Sequence, residues 1–271
     1  MKKAVTVPVD STTTTNLSFE VPTQFVPLPS EGKLYNTSSN LHDQEHVEIR
    51  VMTAKDEDIL TSPTLIKKGV VIDRLLQNVL IDKAININEM IRGDRDALLI
   101  SLRITGYGAN YETAITCPIC DSNFEHTFDL SQIPIKRLEI EPLESYTNQF
   151  SYVLPISNKE VICKFLTAAD ENEMVTSQKK RKASLKVDVD NLITLRLIHS
   201  ILAIDGVTDR GNIAKFVRNM PAQDSLGLRT FLDENEPRAE MKQIIECTEC
   251  GDTTEVAIPM AVEFLWPKAR T

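Results

Sequence analysis

The sequence predicts an α+β fold made of a duplicated strand–helices–hairpin half, preceded by an extended N-terminal arm. Three observations carry that expectation. Residues 1–45 are rich in Ser, Thr and Pro, with no apolar period. Two stretches of similar order follow, each a strand and then a capped helix. Each stretch ends in a Cys-x-x-Cys pair set between β-prone segments.

Composition bounds the classes. The 271 residues are 42% hydrophobic and 25% charged, a globular balance with length enough for a core. The formal charge of −9 and pI of about 5.1 repel phosphate backbones and anionic lipid, so nucleic acid and membrane surfaces are poor partners. No apolar run approaches the ~20 residues that cross a bilayer. Met1-Lys2-Lys3 is followed by Pro8, Asp10 and Thr12–Thr15 where a signal peptide needs an apolar segment. A soluble protein assembled in the cytoplasm is expected. There, five cysteines are not a disulfide framework.

The arm, 1–45, is expected to gain structure only against something else, as a mobile terminus or as a tether to a neighbouring subunit. The first half, 46–130, opens with a strand at His46–Met52. Thr53 caps a helix with Asp56 three residues on, and Ser62-Pro63 interrupts it. A second helix spans 70–82, with Val71, Leu75, Leu76, Val79 and Leu80 on one face. Gly93-Asp94 opens a third, which Gly106 and Gly108 end. A hairpin follows, with Cys117 and Cys120 at its tip.

After a connector at 131–158, rich in proline, the second half covers 159–260 and a tail covers 261–271. Val161–Leu166 reads as a strand, and Thr167 with Asp170 repeats Thr53 with Asp56 at an offset of 114. Ile81-Asp82 is matched with Ile204-Asp205, and Asp96 and Leu98 with Asp224 and Leu226. Cys117 and Cys120 match Cys247 and Cys250 at an offset of 130. Insertions in helical loops account for the growing offset.

A thiolate at each end of a Cys-x-x-Cys turn grips a metal from one side, and two such turns complete a tetrahedral shell. Cys117, Cys120, Cys247 and Cys250 are therefore the predicted ligands of one structural Zn2+. Pro118 and Gly251 suit the knuckle turns. The 126 residues between the pairs exceed a compact ribbon's spacing. A redox-active pair is the alternative, but such pairs begin a helix after a strand, which nothing here resembles. Four thiolates leave no open position for metal catalysis.

Nothing else volunteers chemistry, so no catalytic residue and no enzyme activity are expected. His42 and His46 flank the arm junction in a segment that is not convincingly helical. His126 alternates with Phe124 and Phe128 as a strand residue, and His199 reads as a hydrogen-bonded core histidine. Cys163 reads as a small buried residue. Lys179–Lys182 is the one basic run, a solvated surface or a contact for an acidic partner or nucleic acid. Trp266 in the tail docks on the core or on a neighbour.

Leu28-Pro29-Ser30-Glu31-Gly32-Lys33-Leu34-Tyr35 precedes the run from Val47 to Leu60, whose centre is Met52-Thr53-Ala54-Lys55-Asp56-Glu57-Asp58. Ile66-Lys67-Lys68-Gly69, Gly93-Asp94-Arg95-Asp96-Ala97-Leu98-Leu99 and Arg103-Ile104-Thr105-Gly106-Tyr107-Gly108 follow, closing in Cys117–Cys120. This series resembles the baseplate hub protein family of T4-type contractile-tailed bacteriophages, over roughly residues 28–130, with 52–69 its most specific phrase. The resemblance implies a hub subunit of the virion tail baseplate, contacting other baseplate proteins, with the arm as the expected tether. A transient assembly chaperone absent from the virion is one alternative. A zinc-ribbon nucleic-acid binder is another, and sparse aromatics (6%) argue against it.

Overall fold

The computed structural model describes residues 20–185, 191–260 and 262–265. The chain enters the core earlier than its composition suggests. Strand β1 (Thr23–Pro27) pairs antiparallel with β2 (His46–Arg50), setting Val26 opposite Val47. Val26, Leu28, Leu34, Tyr35 and Leu41 are all buried. Residues 20–45 are thus not an arm, and the part of that expectation covering 1–19 lies outside the described residues. Periodicity missed the segment because it buries its apolar residues along a looped path. Glu31, Gly32 and Asp43 take positive φ, and a Cβ on Gly32 would lie 2.2 Å from the Gln44 amide nitrogen.

Thr53 precedes α1 (Ala54–Leu60), and the Asp56 carboxylate accepts from both its amide and its hydroxyl, at 2.8 Å each. Pro63 occupies the first turn of α2 (Pro63–Lys68), where a missing N–H costs nothing, and Gly69 ends it at φ 77°. Helix α3 (Val71–Val79) buries Leu75, Leu76 and Val79. It stops before Leu80, which leaves the helix to bridge Ile49. Helix α4 (Arg92–Tyr107) runs through Gly106 and ends at Gly108. Gly106 fits inside because the Met52 methyl lies 2.8 Å from where its Cβ would be.

Strands β3 (Asn110–Thr116) and β4 (Asn123–Asp129) form the first hairpin. Within 131–158, β5 (Ile135–Lys136) is followed by β6 (Phe150–Val153). Strand β6 belongs to an antiparallel three-stranded sheet, in the order β6, β7 (Glu160–Cys163), β8 (Ile201–Ile204). Residues 150–154 therefore pack with the second half, Phe150 and Leu154 being buried.

Helices α5 (Ala168–Leu185) and α6 (Leu192–Ser200) precede β8, and α7 (Arg210–Arg218) and α8 (Ala222–Asn235) follow it. Strand β9 (Arg238–Ala239) pairs with β5, so a short ribbon ties the connector to the second half. The second hairpin is β10 (Lys242–Glu246) with β11 (Thr253–Ala257), and α9 (Val262–Leu265) closes the described chain against α4. One hydrophobic cluster runs through all of this, from Val26 through Phe128, Phe150 and Phe165 to Phe264.

Polar contacts recur at matching places. Asp170 accepts from the Thr167 amide and hydroxyl, at 3.0 and 2.8 Å, as Asp56 does from Thr53. Arg50 grips Asp56 through two nitrogens, and Lys164 contacts both oxygens of Asp170. Buried Asp94, on α4, accepts from the Ser30 amide and hydroxyl and from Tyr35 Oη. Buried Asp224, on α8, accepts from the Ile156 and Ser157 amides. Asp224 resembles Asp94, 130 residues earlier, in its burial and in accepting backbone amides. Leu98 and Leu228 are fully buried, whereas Leu226 is 55% exposed. Leu80 bridges Ile49 just after α3, and Ile201 faces Cys163 just after α6.

Candidate metal centre

Both hairpins end in the same knuckle. The Asp121 amide donates to the Cys117 carbonyl at 2.9 Å, and the Cys117 amide to the Ser122 carbonyl at 2.8 Å. In the second, the Gly251 amide donates to Cys247 and the Cys247 amide to Asp252, at 2.9 and 3.0 Å. The curl requires left-handed backbone after the second cysteine. Gly251 supplies it at φ 75° as expected, and Asp121 supplies it at φ 56°, a conformation aspartate tolerates better than most residues.

The hairpins are held tip to tip by their bases. Tyr111 Oη, on β3, donates to the Pro259 carbonyl beyond β11, and its ring meets Phe264 edge-on at 5.1 Å. Buried Arg103 donates to the carbonyls of Gly108 and Asn110, fixing how β3 leaves α4.

The result brings all four predicted ligands together. The Sγ atoms of Cys117, Cys120, Cys247 and Cys250 lie within 4.8 Å of one another, and no other metal-competent His/Cys/Asp/Glu cluster exists among the described residues. Cys117 and Cys247 are buried, and Cys120 and Cys250 exposed. Across the hairpins, Cys117 Sγ is 3.9 Å from Cys250 Sγ and Cys120 Sγ is 3.8 Å from Cys247 Sγ. A tetrahedral ion with bonds of about 2.3 Å to sulfur sets its ligands about 3.8 Å apart. The donor set therefore fits one four-coordinate ion, and the contacts are too long for disulfides.

Backbone amides prepare the thiols. The Cys250 and Glu249 amides point at the Cys247 thiol and lower it to about 6. The Ser122 hydroxyl, 2.9 Å from Cys120 Sγ and 3.6 Å from Cys247 Sγ, lowers Cys120. The Asp252 amide favours the Cys250 thiolate too, but desolvation and the neighbouring sulfurs push that thiol up to about 12. Like charges at this spacing cannot all ionise unaided, and a cation at the centre removes the conflict. Ser122 escaped the sequence reading because only the tertiary fold brings it beside Cys247.

The other candidates fall elsewhere. His42 lies in a turn and donates to the Tyr35 carbonyl through Nδ1, and His46 begins β2, so neither is helical. His126 is a half-buried strand residue against Phe128. His199 is buried as expected, with its Nδ1 facing the Asp170 carboxylate at 3.8 Å, beyond hydrogen-bond distance. Cys163 is buried, and burial pushes its thiol up to about 12. The basic run lies on α5. Lys179 reaches the Lys68 carbonyl, and the side chains of Lys180–Lys182 lie outside the described residues, as does Trp266.

Fold and site together describe a protein in which the tips of two hairpins gather four cysteines into a cluster that could hold one metal ion. The match is wide enough to assign the family. The model of the T4 bacteriophage base plate protein family covers residues 24–266, and the chain belongs to that family. No curated protein and no solved structure matches the chain. No helix among the described residues is long and apolar enough to cross a membrane.

Proposed function

We propose that this protein is a structural, non-catalytic subunit of a contractile phage tail baseplate hub, assembled in the host cytoplasm and braced by one zinc ion. Family membership supports the baseplate role and baseplate proteins as partners. The observation that carries the zinc reading is the four-sulfur cluster itself, which offers a complete shell with no vacant position. All-thiolate tetrahedral sites suit zinc, which adds rigidity without redox chemistry. We further propose that the halves descend from one duplicated unit. The recurring Thr–Asp pairs, the buried Asp94 and Asp224, and the two knuckles support this reading.

The decisive experiment measures metal per chain on protein purified without added metal. One zinc per chain is expected, lost in the Cys117→Ser/Cys247→Ser double variant together with a large drop in thermal stability. Structural zinc contributes ~10 kcal/mol or more in apparent terms, so unchanged melting would refute the brace. Particles from a phage carrying a tagged copy should retain the protein. Its presence only during assembly would favour the chaperone role.

A further inference from the structure

Two surfaces of the chain, one basic and one acidic, carry charge that nothing beside them neutralises. The basic one is assembled from α2 and the far part of α5. Helix α2 buries none of its six residues and leaves Lys67 and Lys68 exposed, with Ile66 56% exposed before them. Lys179 Nζ lies 3.5 Å from the Lys68 carbonyl, at the negative end of α2, and Val175, one turn before Lys179, is 44% exposed. Lys180, Arg181 and Lys182 follow in the same helix, and no acidic residue occurs in 63–69 or 174–185. The two helices are fixed from behind. Asn172 donates to Asp73 of α3 at 2.8 Å, and Arg95 pairs with both Asp73 and Glu171, at 3.0 and 2.8 Å. Those carboxylates are thus engaged, and the nearest exposed acid along α5 is Glu173, six residues before Lys179. A positive face results, in a chain whose formal charge is −9.

The acidic surface lies between β5 and β6. Leu138 and Ile140 pack on the core, which leaves Glu139 and Glu141 outward. Glu144 is exposed as well, and Leu143 is 51% exposed. None of the three carboxylates makes an ion pair among the described residues, and 138–146 contains no lysine or arginine. The segment is held at both ends. Arg137 donates to the Leu28 carbonyl at 2.8 Å, and the Tyr146 hydroxyl to Asp43 at 3.1 Å, while the Leu143 amide donates to the Gln149 carbonyl at 2.8 Å. It is a preformed edge, unable to swing onto its own chain's lysines.

We propose that residues 138–145 of one copy dock on the α2–α5 face of a second copy. Glu139, Glu141 and Glu144 then meet Lys67, Lys68 and Lys179. Leu143 contributes apolar contact with Ile66 and Val175. Opposite charge selects this pairing, and the same chain supplies both sides of it. Apolar residues beside the lysines suit a protein occupant better than a phosphate backbone, which the net charge of −9 also repels. Because the two surfaces differ, the contact is head-to-tail, and its repetition closes a ring or extends a filament.

The test is light scattering of the purified full chain over a concentration series. Self-association is expected, weakening as salt rises from ~0.05 to ~0.5 M. Lys67→Glu/Lys68→Glu/Lys179→Glu and Glu139→Lys/Glu141→Lys/Glu144→Lys should each weaken it at least ~tenfold. An equimolar mixture of the two variants should associate again, since each offers the other an opposite charge on both surfaces. Lys67→Gln/Lys68→Gln/Lys179→Gln, which adds no negative charge at the end of α2, replaces the reversal should that variant melt lower. A chain that is monomeric at every concentration overturns the proposal, as does association that either reversal leaves unchanged. Binding of a labelled single-stranded oligonucleotide at ~0.15 M salt, abolished by the lysine reversal, overturns it too, by giving the face to a phosphate backbone.

Discussion

Asp56 sits fully buried with Arg50, Thr53 and Asn78 all donating to it. Burial by itself would raise its carboxyl, but the Arg50 guanidinium and the other donors hold it well below the usual carboxylate range. Asp170 is held low in the same way, burial being outweighed by the facing His199 ring, Lys164 and the Thr167 amide. An unfolded aspartate titrates near ~3.9. Below that, the unfolded chain takes up protons that the folded carboxylates resist, so both contributions are complete above about pH 5 and fade as the pH falls through 4. Urea melts from pH 6 to pH 3 should show that loss, and Asp56→Asn should flatten it. Asp56→Ala, leaving Arg50 without its buried partner, should cost ~3 kcal/mol or more at pH 7. The cap was legible in sequence because Thr53 and Asp56 are three residues apart. Arg50's part in it, and the burial of Asp94 under Ser30, 64 residues away, were not.

At the level of elements, helices were easier to foresee than strands. The α3 stripe of Leu75, Leu76 and Val79 follows a local period, and Pro63 and Gly69 punctuate α2 by their own backbone chemistry. Strand β1 offered no such signal, since its identity depends on β2, 19 residues beyond its end in a chain that loops between them. The two-residue strands β5 and β9 are defined only by each other, their paired residues 102 and 104 positions apart. Their contact with α4 makes a sharp prediction. Gly93 has the Pro237 carbonyl where a side chain would begin, so Gly93→Ala must push the ribbon off the helix. We expect a loss of ~2 kcal/mol or more by chemical denaturation, despite alanine's better helix propensity. A more stable variant would show that the ribbon does not bear on α4.

Across the whole molecule, the two cysteine pairs were legible because ligand type and spacing declare themselves in a linear chain. That they meet was an inference from the repeated order of elements, and the tertiary fold supplies the contact. The limits of the folded part were misread at the N-terminal side. Truncation distinguishes the expected arm from the observed fold. Removing residues 2–27 deletes β1 and uncovers Val47 and Ile49, so its melting temperature should fall well below that of a chain lacking only 2–19. Equal melting would mean that β1 adds nothing to the core.

The two cysteine pairs leave the ribosome at different times. Cys120 is made 127 residues before Cys247, which at ~5–20 residues per second is a delay of roughly 6–25 s. Through that interval the first knuckle is a two-sulfur half-site, exposed to any thiophilic ion or oxidant and unable to close on its own. On the zinc reading proposed above, translation speed and the supply of free metal both bear on how many chains close the site.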